Sequence, residues 1–283
     1  MTREQPDALL TQAEKTWCPG CGNFGIMNAF RGAIRVLGER GVPREMIVMC
    51  AGIGQHAKIF DYMNLSGFYS LHGRSMATAQ GIKLANPDLK VVDFVGDGDA
   101  MGEGIAHMIF AAKRNADITV VMHNNGIYAL TTGQRAPTTA KGVRGPSTPR
   151  GNTEEPLNPI ALMLEAGATF VARGYSGRIE QLTELMVSAI EHEGFSFLDV
   201  LQPCVTFNDT YDRYNEGTEE ISGPLDFEAA LALSRRADPV PLGLFYRGTR
   251  ETQERAVAGE RNPVRDHPTR QERLEAVIRL IGA

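Results

Sequence analysis

The stretch that most constrains this chain covers residues 90–134 and reads K-V-V-D-F-V-G-D-G-D-A-M-G-E-G-I-A-H-M-I-F-A-A-K-R-N-A-D-I-T-V-V-M-H-N-N-G-I-Y-A-L-T-T-G-Q. An apolar run at 91–95 stops abruptly in Gly96-Asp97-Gly98-Asp99. Helical spacing follows in Ile105, Met108, Ile109 and Ala112. A second apolar run at 118–122 stops in Asn124-Asn125-Gly126. Short, continuous apolar runs around a helical pattern predict strand, helix, strand in a parallel α/β sheet. Both strands end in glycine and polar residues, and the carboxyl edge of such a sheet is where ligands bind.

Glycines on both sides of Asp97 let the backbone turn sharply and approach a ligand closely. The helix that follows offers unpaired N–H groups and a positive dipole end, which suits a diphosphate. Asp97 offers a hard anionic oxygen. Asn125, 28 positions later at the end of the next strand, offers a neutral one. Mg²⁺ favours such ligands and shares them with phosphates and water. The bland alternative is an ordinary Rossmann-like turn with solvated carboxylates, but here two neighbouring strand ends carry matching groups. Gly-Asp-Gly, about two dozen residues and then Asn-Asn resembles the thiamin diphosphate motif. That resemblance implies that Asp97, the Asn125 side chain and the Ile127 carbonyl bind Mg²⁺, with Gly98 and Asp99 close to the diphosphate.

Composition narrows the class by exclusion. At 283 residues the chain can build a substantial core, with 42% hydrophobic and 22% charged residues as in an ordinary soluble protein. A net charge of -5 gives no basic footprint for nucleic acid. No apolar run approaches the roughly 20 residues of a membrane span. The start, M-T-R-E-Q-P-D-A-L-L, lacks the apolar core of a signal peptide, so a cytoplasmic location is expected. In that compartment Cys18, Cys21, Cys50 and Cys204 are expected as thiols or ligands rather than disulfides. Four is also the number of thiolates that a [4Fe–4S] cluster needs.

In chain order, a polar arm over 1–16 precedes T-W-C-P-G-C-G-N. The Cys-x-x-Cys pair is open to a redox, zinc or cluster reading. Periodicity predicts an amphipathic helix over 26–40 and a buried strand over 46–49 that leads into Cys50-Ala51-Gly52-Ile53-Gly54-Gln55. Next come His56-Ala57-Lys58 and Leu71-His72-Gly73-Arg74, then a helix over 75–84. Lys58, His72 and Arg74 can be ordinary surface or capping residues; beside a diphosphate they become anion partners. The Thr-, Gly-, Pro- and Arg-rich segment 131–159 is long for a structureless loop and reads as functional or partner-facing. Helices over 160–166 and 179–192 and strands over 169–172 and 195–201 follow. The last strand ends in Q-P-C-V-T-F-N. Beyond 209 the pattern weakens, with helices expected over 227–235 and 271–281 and a short extended piece at 242–246. The organisation expected is a thiamin diphosphate-binding domain over 1–208 and an irregular, partner-facing C-terminal extension over 209–283 that is not an independent domain.

W-C-P-G-C-G-N, A-G-I-G with L-H-G-R, G-D-G-D with N-N-G-I-Y-A-L-T-T-G-Q, and P-C-V-T-F-N occur in that order from about residue 17 to 250. The ordered set resembles the β subunit of the 2-oxoacid:ferredoxin oxidoreductases. The resemblance implies thiamin diphosphate, Mg²⁺ and one [4Fe–4S] cluster, and coenzyme A as co-substrate. It also implies an α subunit that supplies the activating glutamate and much of the coenzyme A site. The reaction implied is oxidative decarboxylation of a 2-oxoacid to an acyl-CoA with ferredoxin as acceptor, or its reverse. It places Cys21, Gly22, Asn23, Gly54, Gly96 and Leu130 around the cofactor and matches Cys18, Cys21 and Cys204 to cluster ligands. One departure is Gln55, where the family has a cluster cysteine. Cys50, the remaining cysteine, is expected to replace it; the alternative is a buried thiol with three cysteines on the cluster or another metal site. Lys58 matches a substrate-pocket lysine. Tyr-Met-Asn and Leu-His-Gly-Arg look most like the 2-oxoglutarate branch, with pyruvate the runner-up substrate and a thiamin-dependent decarboxylase or carboligase without ferredoxin the runner-up activity.

Overall fold

In the computed structural model, residues 8–282 are described; the first seven residues of the expected polar arm lie outside them. Ten strands form among the described residues: β1 Ile47–Ala51, β2 Ser66–Tyr69, β3 Lys90–Gly96, β4 Thr119–Asn124, β5 Ile127–Tyr128, β6 Gln134–Arg135, β7 Phe170–Tyr175, β8 Ser196–Leu201, β9 Thr218–Glu220 and β10 Val240–Arg247. The helices are α1 Asn23–Glu39, α2 Ile59–Tyr62, α3 Ser75–Ala85, α4 Ile105–Arg114, α5 Pro159–Glu165, α6 Ile179–Glu191, α7 Tyr211–Glu216, α8 Phe227–Ser234, α9 Gln253–Ala258 and α10 Arg270–Ile281. Eight strands make one sheet in the order β2-β1-β3-β4-β8-β7-β10-β9, and β5 and β6 make a separate small hairpin. Pairing within the sheet is parallel except where β10 runs antiparallel to β7. The expected mainly parallel α/β sheet flanked by helices is therefore present.

Each central strand is buried on both faces, which is why β1, β3, β4, β7 and β8 are rich in apolar residues instead of alternating with polar ones. Successive side chains alternate between two cores. Met49, Val92 and Phe94 face the core made with α1 and α6. Cys50, Val91 and Val95 face the core made with α3, α4 and α5. In α1, Ile26, Phe30, Ile34 and Leu37 are 0–5% exposed. Burying such side chains stabilises by about 1.5–3 kcal/mol each relative to exposure, which holds this helix against the sheet.

Two elements depart from the sequence pattern. β2 was not expected because all four of its residues are exposed at the sheet edge, so no apolar run marks it. The segment after 208 is irregular only in part. β10 buries Leu242 and Phe245 and pairs with β7 over Phe170–Arg173, so the extension completes the main sheet instead of trailing from it. Among the described residues, no helix is long and apolar enough to cross a membrane.

Candidate active site

Parallel pairing brings the loops after β1, β3, β4 and β8 to one edge of the sheet, and the Cys18–Cys21 turn joins them ahead of α1. A cavity opens there, with Gly54, Gly96, Asp97, Gly98, Asn125 and Leu130 among its walls. The residues after Asp97 do not enter an α-helix at once. Positions 98–103 form one π-helical turn, and α4 starts at Ile105. Glycine is required beneath Tyr128: a Cβ on Gly98 would lie 2.5 Å from the ring, while the Tyr128 hydroxyl donates to the Gly98 carbonyl at 3.0 Å.

Asp97 is 1% exposed. The Thr138 hydroxyl, carried in from the 131–159 loop, donates to its Oδ2. Burial pushes the Asp97 carboxyl up to about 7, against the pull of Thr138 and of nearby backbone N–H groups. A carboxylate buried this deeply, with one hydroxyl donor, suits a bound cation that offsets its desolvation. Asn125 is fixed on three sides. Its Nδ2 donates to Gln202 Oε1 at 3.1 Å, its Oδ1 accepts from the Ile127 N–H at 3.0 Å, and its carbonyl accepts from Asn208 Nδ2 at 2.8 Å. Asp97, Asn125 and the Ile127 backbone thus lie on two adjacent strand ends, with hard oxygen donors that fit Mg²⁺.

Asp99 is the hub of a second network. Its Oδ1 accepts from the Gly73 and Ile53 N–H groups at 2.7 and 3.3 Å. His72 Nδ1 lies 3.1 Å from Oδ1, and His56 Nε2 lies 3.6 Å from Oδ2. Burial alone would raise the Asp99 carboxyl; His56 and the two N–H groups outweigh it and hold it below the ordinary range. His123, at the end of β4, is buried with its Nδ1 2.8 Å from Asn23 Oδ1. Burial, and next the charge of His56, hold it well below the usual imidazole value, so it is neutral. With Nδ1–H donating to Asn23, its Nε2 is an acceptor. Gln55 Oε1, His56 Nε2, His72 Nδ1, Asp99 Oδ2 and His123 Nε2 are buried without a hydrogen bond of good geometry, and all five residues line this one cavity. His56 and His72 still face Asp99, but Gln55 Oε1 and His123 Nε2 have no partner, and buried polar atoms left unpaired at one cavity mark a site that a polar ligand completes. The cavity residues fit a thiamin diphosphate.

The three family-matched cysteines come together from two loops. Cys18 and Cys204 are the thiols whose charge, after burial, contributes to pushing the Cys21 thiol up to about 11. Thr206 Oγ1 donates to Cys18 Sγ at 3.4 Å and Gln202 Nε2 to Cys21 Sγ at 3.7 Å. Among the described residues, no group of three or more His, Cys, Asp or Glu converges closely enough for a single metal ion. Three neighbouring thiols with donors already aimed at two of the sulfurs fit a cluster edge better than a zinc site.

The structure does not bring Cys50 to them. It sits mid-strand in β1, 0% exposed, facing the α3–α4 core, while Cys21 packs against the α1–α6 core on the other side of the sheet. Its thiol is raised by burial and by Asp93, not by another cysteine. Gln55 stays on the loop side, its carbonyl accepting from Trp17 Nε1 at 2.7 Å, next to Cys18. Lys58 does not line the cavity; its ammonium donates to Thr16 Oγ1 at 2.6 Å. Arg74 lies at the rim, its guanidinium donating to the Glu103 carbonyl at 2.9 Å. Of the three expected substrate partners, only His72 lines the cavity. Cys21 and Gly22 lie on the cluster side, and Asn23 reaches the cavity through His123. Sequence reading missed His56, His123, Tyr128, Thr138 and Gln202. Three of these directly follow or end a predicted strand or its glycine loop, and that position was the available signal.

The chain's residues 50–200 match the family model "Thiamine pyrophosphate enzyme, C-terminal TPP binding domain", and residues 204–261 match the model for the C-terminal part of the pyruvate ferredoxin oxidoreductase beta chain. A relative described as 2-oxoacid:ferredoxin oxidoreductase subunit beta, from Saccharolobus solfataricus, is 41% identical over 268 residues, 87% of this chain and 86% of its own length. The 2-oxoglutarate synthase subunit KorB of Archaeoglobus fulgidus is 40% identical over 207 residues, 73% of this chain and 76% of its own. Among solved structures, 2-oxoglutarate:ferredoxin oxidoreductase from Magnetococcus marinus, with 2-oxoglutarate, coenzyme A and succinyl-CoA bound, is 36% identical. Its TM-score is 0.88, covering 98% of this chain and 97% of that one.

Proposed function

The chain belongs to the β subunits of the 2-oxoacid:ferredoxin oxidoreductases, enzymes that work with an α chain, and from that premise we propose how its own residues serve the reaction. The reaction is 2-oxoglutarate plus coenzyme A plus oxidised ferredoxin to succinyl-CoA plus CO₂ plus reduced ferredoxin, or the reverse carboxylation, carried out in the cytoplasm. The observation that carries the chemistry is the polar wall of one cavity, where Gln55 Oε1 and His123 Nε2 have no partner and His56 and His72 are held against Asp99, beside a buried Asp97 and a half-buried Asn125. Relatives acting on 2-oxoglutarate, and the neighbour holding it, support the substrate.

When bound, thiamin diphosphate supplies the carbon nucleophile and electron sink for cleavage next to the 2-oxo group, and an iron–sulfur cluster supplies one-electron transfer. Asp97, Asn125 and the Ile127 carbonyl, at the ends of β3 and β4, would hold Mg²⁺, which would supply positive charge for a diphosphate. Gly98 leaves room for Tyr128 to close the floor. Asp99 keeps His72 and His56 at the wall facing the substrate, where His72 hydrogen-bonds a substrate carboxylate. His123 presents a neutral acceptor nitrogen. Cys18, Cys21 and Cys204 hold the cluster, with Gln55 in the place of a fourth thiolate. Lys58 and Arg74 are assigned to the approach to the cavity, where their charge draws a dicarboxylate towards it.

Co-purified α and β subunits, with ferredoxin as acceptor, test this on a panel of 2-oxoacids. The expected result is the highest kcat/KM with 2-oxoglutarate. Faster turnover of pyruvate would move the chain to the runner-up substrate, the one named in the family model that residues 204–261 match. A colourless, iron-free protein that decarboxylates without ferredoxin would remove the electron-transfer reading.

A further inference from the structure

Gln202 closes β8, is 1% exposed, and extends the ladder to β4 through its N–H to the Asn124 carbonyl at 2.9 Å. Its carboxamide touches both halves of the site. Nε2 donates to the Pro203 carbonyl at 2.7 Å and to Cys21 Sγ at 3.7 Å; Oε1 accepts from Asn125 Nδ2 at 3.1 Å. The reverse orientation would set the Gln202 oxygen against the Pro203 carbonyl, two acceptors face to face, so the carboxamide has one satisfied orientation. That orientation in turn demands a donor at Asn125, which directs the Asn125 nitrogen to Gln202 and its oxygen the other way. Room for this contact is built in: a Cβ on Gly22, between Cys21 and α1, would lie 3.0 Å from Gln202 Cγ.

Resting on the cofactor reading above, we propose that Gln202 is a positioning residue shared by two centres. One carboxamide orients the metal-ligating amide of Asn125 and donates a hydrogen bond to the Cys21 sulfur. The reduced state of a cluster carries more negative charge, so an N–H donor to its sulfur favours reduction and raises the potential. Cation binding at Asn125 polarises its N–H groups, which strengthens the bond to Gln202 Oε1 and, through the amide, the bond from Nε2 to sulfur. Occupancy of the Mg²⁺ site therefore raises the cluster potential, and by linkage the reduced cluster binds Mg²⁺–thiamin diphosphate more tightly by the same factor.

The test uses the αβ complex, with an EPR-monitored redox titration with and without Mg²⁺–thiamin diphosphate, and calorimetry for its affinity. In wild type, the reduced-to-oxidised ratio at fixed potential should rise about fivefold or more on cofactor binding, within the usual range of coupling between two sites. Gln202→Leu should show a more negative potential, no response to the cofactor, and weaker Mg²⁺–thiamin diphosphate binding. Gln202→Glu keeps the acceptor for Asn125 and the side-chain volume but loses the donor. It should bind the cofactor within about threefold of wild type; because its carboxylate lowers the potential by its own charge, the deciding readout is the shift on cofactor binding, which should be lost. It also keeps the test valid if the leucine variant fails to fold. A wild-type shift on cofactor binding and wild-type affinity in an iron-replete glutamate variant would overturn the role of Gln202 alone. An iron-free wild-type complex would overturn the cluster reading and this inference together.

Discussion

Asp93 shows what a single residue can cost a buried sheet. It lies mid-strand in β3, 0% exposed, on the same face as Cys50, and neither carboxyl oxygen has a hydrogen bond of good geometry. Burial pushes its pKa up to about 8; the nearby Ser75 hydroxyl opposes this and the charge of Asp99 adds to it. The folded protein thus keeps the proton while the unfolded chain releases it near 3.8, so stability falls as pH rises from about 4 to 8. Asp93→Asn should be more stable than wild type, with the gain growing across that window and levelling off above it. Urea denaturation midpoints at several pH values would read this, and a constant difference would contradict it. Thr138 acts on Asp97 through one hydroxyl. Thr138→Val should weaken Mg²⁺-dependent thiamin diphosphate binding about 10- to 100-fold, the usual cost of removing a partner behind a metal ligand, with little change in cofactor-free Tm. Unchanged affinity by calorimetry would remove Thr138 from the site.

The strands explain why some of the site was legible from sequence and some was not. Asp97 and Asn125 stood out because each follows a continuous apolar run, and two such runs around a helical pattern fix them as neighbours. Cys50 looked equally placed, five residues before Gln55. Alternation along β1 turns its side chain to the far core, and only the position of the strand end, at Ala51, decides that. Gln202 and His123 were hidden for another reason. Their role depends on register, β4 beside β8 and α1 beside both, and no local pattern encodes register between distant segments. β2 was missed because an exposed edge strand has no apolar period. The placement of Cys50 makes a clear prediction: Cys50→Ser should leave iron content and the cluster EPR signal unchanged, apart from the small penalty of a hydroxyl in an apolar core. Gln55→Cys, on the loop tied to Trp17, should instead slow oxygen-driven loss of iron. Loss of the cluster in the serine variant would return Cys50 to the ligand set.

Across the whole molecule, two groups of exposed apolar side chains stand out among the described residues. Phe68, Tyr69, Leu71, Leu130 and Phe207 are 39–73% exposed on β2 and on the loops around the cavity. Leu274, Val277, Ile278 and Ile281 line one side of α10, spaced three and four apart, at 50–78%. Isolated exposed apolar residues need no explanation, but grouped ones mark a surface that a partner covers. A β subunit whose cavity opens through such a rim is expected to be closed there by its α chain, which also keeps water from the reacting atoms. The exposed apolar side of α10 makes the C-terminal extension a second candidate surface for a partner. Leu71→Asp combined with Leu130→Asp should weaken association with the α subunit about tenfold or more, as loss of one central anchor typically does. Tm of the isolated β chain should barely move, because neither side chain belongs to a core. Leu274→Glu with Ile278→Glu should loosen the same complex less, because α10 lies away from the cavity-lining loops. Analytical ultracentrifugation of each variant with the α chain ranks the two surfaces. The reverse order would put the main contact on the extension and leave the rim of the cavity for ferredoxin or substrate entry.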